Sequence, residues 1–251
     1  MAGDLGCADS ELRSFGTTRW TLVQEAAVSG ETQVASAALE ELCRMYWRPV
    51  YAFVRGQGIE MHDAQDLTQG FFARFIASRS YARAHREKGR FRSFLLGALK
   101  NFLADERDRL RTQKRGNGTL PVQLTDAAIA EAEVIAAREP QGNADLLYAR
   151  EWAATVLHRA LQRLADECEI AGKAELFGAL KSHLATASQT PVAYGEIAVR
   201  LHRPVATLRS DVSRLRVRYR AILREEVRAT VCDSADVDEE LRLLHAAIAG
   251  S

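Results

Sequence analysis

Residues 89–109 read GRFRSFLLGALKNFLADERDR, a stretch that contains no proline and is basic at both ends. Its apolar side chains recur three and four positions apart, at Phe91, Leu95, Ala98 and Phe102, which places them on one face of a helix. Five of the remaining positions are cations, and four of these lie toward the two ends of the stretch. The stretch therefore predicts an amphipathic helix that packs on one side and presents arginines on the other.

The same helical spacing extends outward in both directions. It begins at Trp20, runs to Arg55 and resumes in DAQDLTQGFFARFI (63–76), which His62 or Asp63 is expected to open. After an interruption it continues from Leu146 to about Arg228 and returns in the tail, where Val237, Leu241, Leu244 and Ile248 form a stripe. No β-type alternation is sustained. The fold class predicted is all-α, with two helical domains joined by a flexible linker and a helix-turn-helix in the C-terminal domain.

Composition shifts set the predicted boundaries. Residues 116–145 contain Gly-Asn-Gly, two prolines and mostly acidic charges, which is typical of a linker. The predicted parts are an N-terminal extension (1–34), a first domain (35–115), the linker (116–145), a second domain (146–228) and an acidic tail helix (229–251).

Charge is local, although the net charge of the chain is only +1. Residues 79–115 contain 12 Lys/Arg and four Asp/Glu, a balance of +8, and residues 200–224 contain eight arginines and one aspartate, a balance of +7. A single basic run is often a solvated helix face. Two runs in two domains favour two contacts along one polyanion.

The second basic run coincides with a short helix, a three-residue interruption and a long helix. Pro204 is tolerated in the first turn of the long helix but not inside the short one. This order is typical of a helix-turn-helix, whose second helix enters the major groove, although an ordinary helical hairpin can also produce it. The candidates for DNA contact lie off the apolar seam of the long helix or near the phosphates. They are Thr207, Arg209, Ser210, Ser213, Arg214 and Arg216.

Enzymatic and membrane functions find little support. The chain has no phosphate-binding loop motif, no dinucleotide fingerprint and no Cys/His cluster with zinc spacing. Asp63 and Asp66 could in principle share a metal ion, but the sequence has no second acidic cluster at suitable spacing and no His placed to help. No apolar run approaches the roughly 20 residues of a membrane span. We therefore expect a non-enzymatic cytoplasmic protein with no cofactor, no metal and no membrane insertion.

Several segments together resemble the extracytoplasmic-function sigma factors of bacterial RNA polymerase, over nearly the whole chain. The segments are TTRWTLV (17–23), LEELCRMYWRPVYAFVR (39–55), DAQDLTQGFFARF (63–75), 89–109, AGKAELFGALKSHL (171–184), the helix-turn-helix candidate and VDEELRLLHAAI (237–248).

The resemblance implies that the first domain opens promoter DNA at the minus-ten element and holds a base flipped from the non-template strand. Cations that follow the backbone and aromatic groups that receive an unstacked base suit that task. The residues implied are Tyr81, Arg90, Arg92, Lys100, Asn101, Arg107 and Arg109.

It also implies that Asp63, Asp66 and Gln69 bind core polymerase and that the second domain reads the minus-thirty-five element. An anti-sigma factor or another regulator is a possible further partner. The chain departs from the family at His202, where a glycine is common, and at Gln65 and Gly70, where acids are common.

Two other functions stay open. One is a stand-alone regulator that binds duplex DNA without polymerase, and the other is a helical scaffold whose arginines are only solvated. The tail, with seven acids and two bases from Glu225 to Ser251, could mask the basic helix-turn-helix, meet a regulator, or do neither.

Overall fold

The computed structural model describes residues 33–79, 90–112, 143–184, 193–231 and 235–249. Within these ranges the chain forms eight α-helices and a short 3-10 turn, with no β-strand. The predicted all-α class is confirmed. The predicted N-terminal extension, apart from its last two residues, and residues 116–142 of the predicted linker lie outside these ranges.

The helices begin and end close to the predicted positions. They are α1 (Gln33–Arg55), α2 (Met61–Ala77), α3 (Phe91–Thr112), α4 (Ala144–Ile170), α5 (Ala174–Leu180), α6 (Tyr194–Leu201), α7 (Val205–Arg228) and α8 (Asp236–Ala249). The 3-10 turn Lys181–His183 follows α5 directly.

The chain divides into two compact units. The first unit comprises Met1–Thr155 and Val227–Ser251, and the second unit comprises Val156–Glu226. Residues 146–155, which the sequence assigns to the second domain, belong to the first unit, and so does the acidic tail.

Aromatic side chains hold the first unit together. The ring of Tyr46 on α1 lies 4.9 Å from that of Phe91 at the start of α3. Phe71 on α2 packs edge-on against Phe102 on α3, with 5.7 Å between ring centroids. Phe91, Phe71 and Phe102 are all buried, as the predicted apolar stripes require. Aromatic pairs of this kind add about 0.5–1.5 kcal/mol each beyond the area they bury.

A buried cluster centred on α6 and α7 forms the core of the second unit. Ile197 and Leu208 are fully buried and pack with Val212 and Leu180. This cluster fixes which side of α7 faces inward. The predicted seam is confirmed at Leu208, Val212 and Ile222, which are all buried.

His202 closes α6 in the left-handed conformation, with φ 50° and ψ 45°. The amide of Arg203 donates to the carbonyl of Ala198 (3.0 Å), and the amide of His202 donates to that of Val199 (3.4 Å). This pair of bonds is the Schellman pattern, which usually places glycine at the position of His202. A side chain there costs about 1 kcal/mol or more, yet the turn keeps its shape and leads through Pro204 into α7.

The tail helix, α8, buries Val237 and Leu244 of the predicted stripe, leaves Leu241 half-buried, and adds Glu240 and Ala247 to the buried side. Ile248 is exposed. The prediction of Ile248 as a core position is wrong because the helix turns Glu240 inward. An acid therefore occupies the middle of an apolar stripe.

Candidate nucleic-acid interface

The N-terminal half of α7 presents a polar, cationic surface. Leu208 and Val212 anchor the helix in the core of the second unit, which leaves the remaining positions of these turns facing outward. Five predicted DNA contacts are exposed there and together form the exposed face of α7. They are Thr207, Arg209, Ser210, Ser213 and Arg214.

The arginines of this face make only weak contacts within the protein. The side chain of Arg214 is 80% exposed, and its guanidinium lies 3.6 Å from the carboxylate of Asp211. Arg209 lies over the ring of Tyr194 at 5.8 Å, near the outer limit for a cation–π contact. Arg203 donates to Asp211 at 2.9 Å, which fixes the direction of its side chain. Exposed pairs of this kind contribute about 0–1 kcal/mol and can be exchanged for a phosphate.

Arg216 is the predicted contact that the structure directs elsewhere. Its Nε and Nη2 donate to the backbone carbonyl of His183 at 3.2 and 2.8 Å. Arg218, two residues farther along α7, donates to both carboxylate oxygens of Glu167, at 2.7 and 2.6 Å. The sequence predicts Arg216 as a DNA contact. Arg216 and Arg218 instead brace the second unit, because α7 brings them against α4 and the 3-10 turn.

In the first unit, α2 and α3 enclose a groove of about 460 Å³. Its walls are aromatic, with Phe71 and Phe75 from α2 and Phe94 and Phe102 from α3. Phe75 and Phe94 lie 6.0 Å apart, centroid to centroid. We call this feature the aromatic groove.

Polar groups line the rim of the aromatic groove. The exposed side chain of Asn101 lies there together with Arg74 and Asp105. Arg74 donates to Asp105 at 2.7 Å and lies 5.8 Å from the Phe102 ring centroid. An apolar cleft with a few polar groups at its edge is typical of a site that receives a flat ring. Of the predicted minus-ten residues that the structure describes, Asn101 is the one that lines the aromatic groove.

Arg90 and Arg92 face the tail helix rather than solvent. Nε of Arg90 and Nε of Arg92 each lie 3.3 Å from a carboxylate oxygen of Glu240. The guanidinium of Arg92 also stacks over Trp152, 4.5 Å from the ring centroid, and its side chain is only 14% exposed. The expectation that these two arginines line an open face is therefore wrong for this conformation. The carboxylate of Glu240 attracts both guanidinium groups by its opposite charge, and this attraction offsets part of the cost of removing the carboxylate from water.

The electrostatics of Glu240 reflect its burial. Its side chain is 1% exposed, and loss of hydration raises the pKa of this carboxyl above the ordinary value. The charges of Arg92 and Arg90 act in the opposite direction. The carboxyl group therefore costs free energy to bury even with two arginines beside it.

The other predicted cations of α3 lie farther along the helix and are exposed. Lys100 pairs with Asp145 at 2.6 Å and lies 5.6 Å from the ring of Phe53. Arg109 pairs with Glu106 one turn away, and Arg107 donates to the carbonyl of Leu103. Tyr81, the predicted stacking partner, lies outside the described residues.

The predicted polymerase contacts lie on one side of α2. Asp63 and Asp66 are exposed, Gln69 is half-buried, and Ala64, Thr68 and Phe71 pack inward. Throughout the described part of the chain, no three His, Cys, Asp or Glu side chains come together as a metal site.

Sequence reasoning missed Glu240, Trp152 and Tyr148 as partners of the α3 arginines. Tyr148 donates to the backbone carbonyl of Arg92 at 3.0 Å. One signal for Glu240 was present, because it follows Val237 by three residues and precedes Leu244 by four, the spacing of a core position.

No family model, no curated protein and no solved structure matches this chain. Among the described helices, none is long and apolar enough to cross a membrane.

Proposed function

We propose that this protein is a promoter-specificity subunit, a sigma factor that binds core RNA polymerase and directs transcription initiation. The observation that carries the proposal is the exposed face of α7. Thr207, Arg209, Ser210, Ser213 and Arg214 point away from a buried seam on a helix that begins directly after a tight turn. Arginine can bond two acceptors of guanine, and serine or threonine suits bases or phosphates.

In this function α6 and α7 act as a helix-turn-helix that reads the upstream promoter element. The Schellman closure at His202 supports this assignment, because it sets the direction in which α7 leaves the turn. Phosphate contacts position such a helix, and base contacts give it sequence preference.

The aromatic groove supports a second contact, to separated DNA. Phe94, which is half-buried, offers its ring to an unstacked base above the buried ring of Phe75, and Asn101 offers a donor and an acceptor at the rim. Stacking of this kind tolerates any base, while the amide can discriminate among them. This chain then only keeps the two DNA strands apart, and the polymerase catalyses RNA synthesis. Asp63, Asp66 and Gln69 are the proposed contacts to core polymerase.

Reconstitution tests the proposal. The chain is mixed with core bacterial RNA polymerase and a library of bacterial promoter fragments, and the 5′ ends of the transcripts are sequenced. A sigma factor co-purifies with core polymerase and produces start sites that share two upstream elements. A protein that leaves transcription unchanged but footprints duplex DNA alone is the stand-alone regulator instead. Failure to bind either partner favours a scaffold.

A further inference from the structure

We propose that the tail helix α8 is an intramolecular competitor of nucleic acid, with Glu240 occupying the place of a DNA phosphate between Arg90 and Arg92. The inference rests on the proposed function, since it concerns the arginines that the function requires at the opened strand. It assigns to the tail a regulatory role in the first unit.

Geometry supports the substitution of carboxylate for phosphate. Glu240 lies within 3.3 Å of a nitrogen from each arginine, and Asp236 lies 3.7 Å from Nη2 of Arg90. Guanidinium groups bind carboxylate and phosphate in the same way, through charge-assisted N–H bonds. Trp152 and Tyr148 keep Arg92 in place from the side that does not involve the tail. Arg92 is therefore held ready for an anion, with Arg90 two residues before it.

The composition of the α8 stripe argues for a contact that can be exchanged. Val237, Leu244 and Ala247 bury apolar surface, but Glu240 between them buries a charge. Replacing a buried ion pair by apolar side chains often leaves a protein equally stable or more stable. Glu240 therefore makes the packing of α8 less stable than an apolar residue would, and its contact with the arginines can be displaced by a polyanion.

The chain that enters α8 is fixed to the same place. The amide of Phe91 donates to the carbonyl of Thr230 at 3.2 Å, and Arg90 pairs with Val231 in an antiparallel bridge. This anchor holds the acids of α8 next to the start of α3 at high effective concentration. Release of α8 from Asp236 onward would expose both arginines while the anchor stays in place.

A pair of matched variants tests the inference. Glu240→Lys puts a cation between two arginines and should release α8. Glu239→Lys makes the same change of charge one residue away, where the side chain is 39% exposed and pairs with Arg242 on its own helix. The probe is a fluorescein-labelled single-stranded DNA 20-mer of mixed sequence, and binding is followed by anisotropy across a salt series, with and without core polymerase.

Glu240→Lys should bind the 20-mer about tenfold more tightly than Glu239→Lys at low salt. Its plot of log K against log salt should be steeper by about 1.4, because each of two newly contacted phosphates contributes about 0.7. Equal affinity and equal slope in the two variants would overturn the masking alone. No binding by any variant, even with core polymerase, would overturn the proposed function and the masking together.

Hydrogen exchange of the unaltered chain gives a second readout that does not depend on how the variants fold. Amides of 236–249 should exchange faster when the 20-mer is bound, while amides of 95–103 keep their protection. Unchanged exchange in 236–249 at saturating DNA would overturn the inference.

Discussion

The two cationic helices differ in what their arginines face. On α7, Arg209 and Arg214 extend from the exposed face and make only weak contacts with neighbouring side chains. At the start of α3, Arg90 and Arg92 are held by a buried acid of their own unit. Local charge balances of +8 and +7 therefore describe two different states. One surface is ready to meet an anion, and the other already holds one.

The same contrast occurs within α7. Its N-terminal half is held by Leu208 and Val212 and leaves its arginines outward, whereas Arg216 and Arg218 farther along donate to His183 and Glu167. Position along the helix, rather than residue type, separates a weakly paired arginine from a structural brace.

The largest effect is expected when the two arginines of the exposed face of α7 are removed. We expect Arg209→Ala with Arg214→Ala to weaken duplex promoter binding by the polymerase complex about 100-fold. Each lost arginine contact costs about 1.4 kcal/mol, within the usual range for a base contact. Electrophoretic mobility shift of the complex measures this loss, and binding to core polymerase should stay unchanged.

The matched control is Arg216→Ala with Arg218→Ala, two arginines of the same helix that brace the second unit. This pair should lose less than about threefold in promoter affinity. Equal losses in the two double variants would show that bonds within the protein do not decide which arginines contact DNA.

A smaller effect is expected at the aromatic groove. Asn101→Ala should lower the fraction of open promoter complex about fivefold, because one hydrogen bond to an unstacked base contributes about 1 kcal/mol. Duplex binding should be unaffected. Permanganate reactivity of thymines near the start site reports the open fraction. Lys100→Ala, one residue away and paired with Asp145, serves as the control, and an equal loss there would count against a specific role of the amide.

Glu167→Ala sharpens the contrast within α7 by removing the partner of Arg218. Because both side chains are partly exposed, we expect a loss of less than about 1 kcal/mol in the free energy of unfolding. Urea denaturation measures it. If promoter affinity falls while the free energy of unfolding stays unchanged, Arg218 contacts DNA while Glu167 holds its side chain.

The smallest expected effect is a pH dependence of the second unit. Burial, with a contribution from the charge of Arg216, lowers the pKa of His183 from its ordinary value of 6.5. The folded state thus disfavours the protonated ring, which lies 4.3 Å from that of Tyr194. Stability is fully present above pH 6.5 and declines as the pH falls through the lowered folded value.

Hydrogen exchange of the α6 amides at pH 7.5 and 5.5, corrected for the intrinsic rates, measures this decline. His183→Phe should remove it, whereas His158→Gln, an exposed change in the same unit, should leave it in place. An unchanged dependence in His183→Phe would contradict the assignment.

Helix positions could be predicted from the sequence because their signals are local. Pro204 fixes the start of α7 to one residue, and apolar spacing identifies Phe91, Leu95 and Phe102 as buried. Met61 opens α2 one residue before the predicted start. Such features depend on neighbours within a few residues of each other.

The partner of each arginine could not be predicted in the same way. Arg92 and Glu240 are separated by 148 positions, and only the packing of α8 brings them together. Charge pattern also favoured Arg216 as a DNA contact, while the fold places the His183 carbonyl within its reach. Exposure and pairing are properties of the folded chain, so the sequence identified the cationic helices but not which cations remain available.

Footprinting one promoter complex by two chemistries tests the central claim most directly. With core polymerase, the account predicts protection of duplex DNA at an upstream element and permanganate-reactive thymines near the start site. Arg209→Ala with Arg214→Ala should strongly weaken the upstream protection, and Asn101→Ala should lower the thymine reactivity about fivefold while leaving that protection unchanged. Protection that persists without polymerase, with no reactive thymine in any sample, would contradict the account.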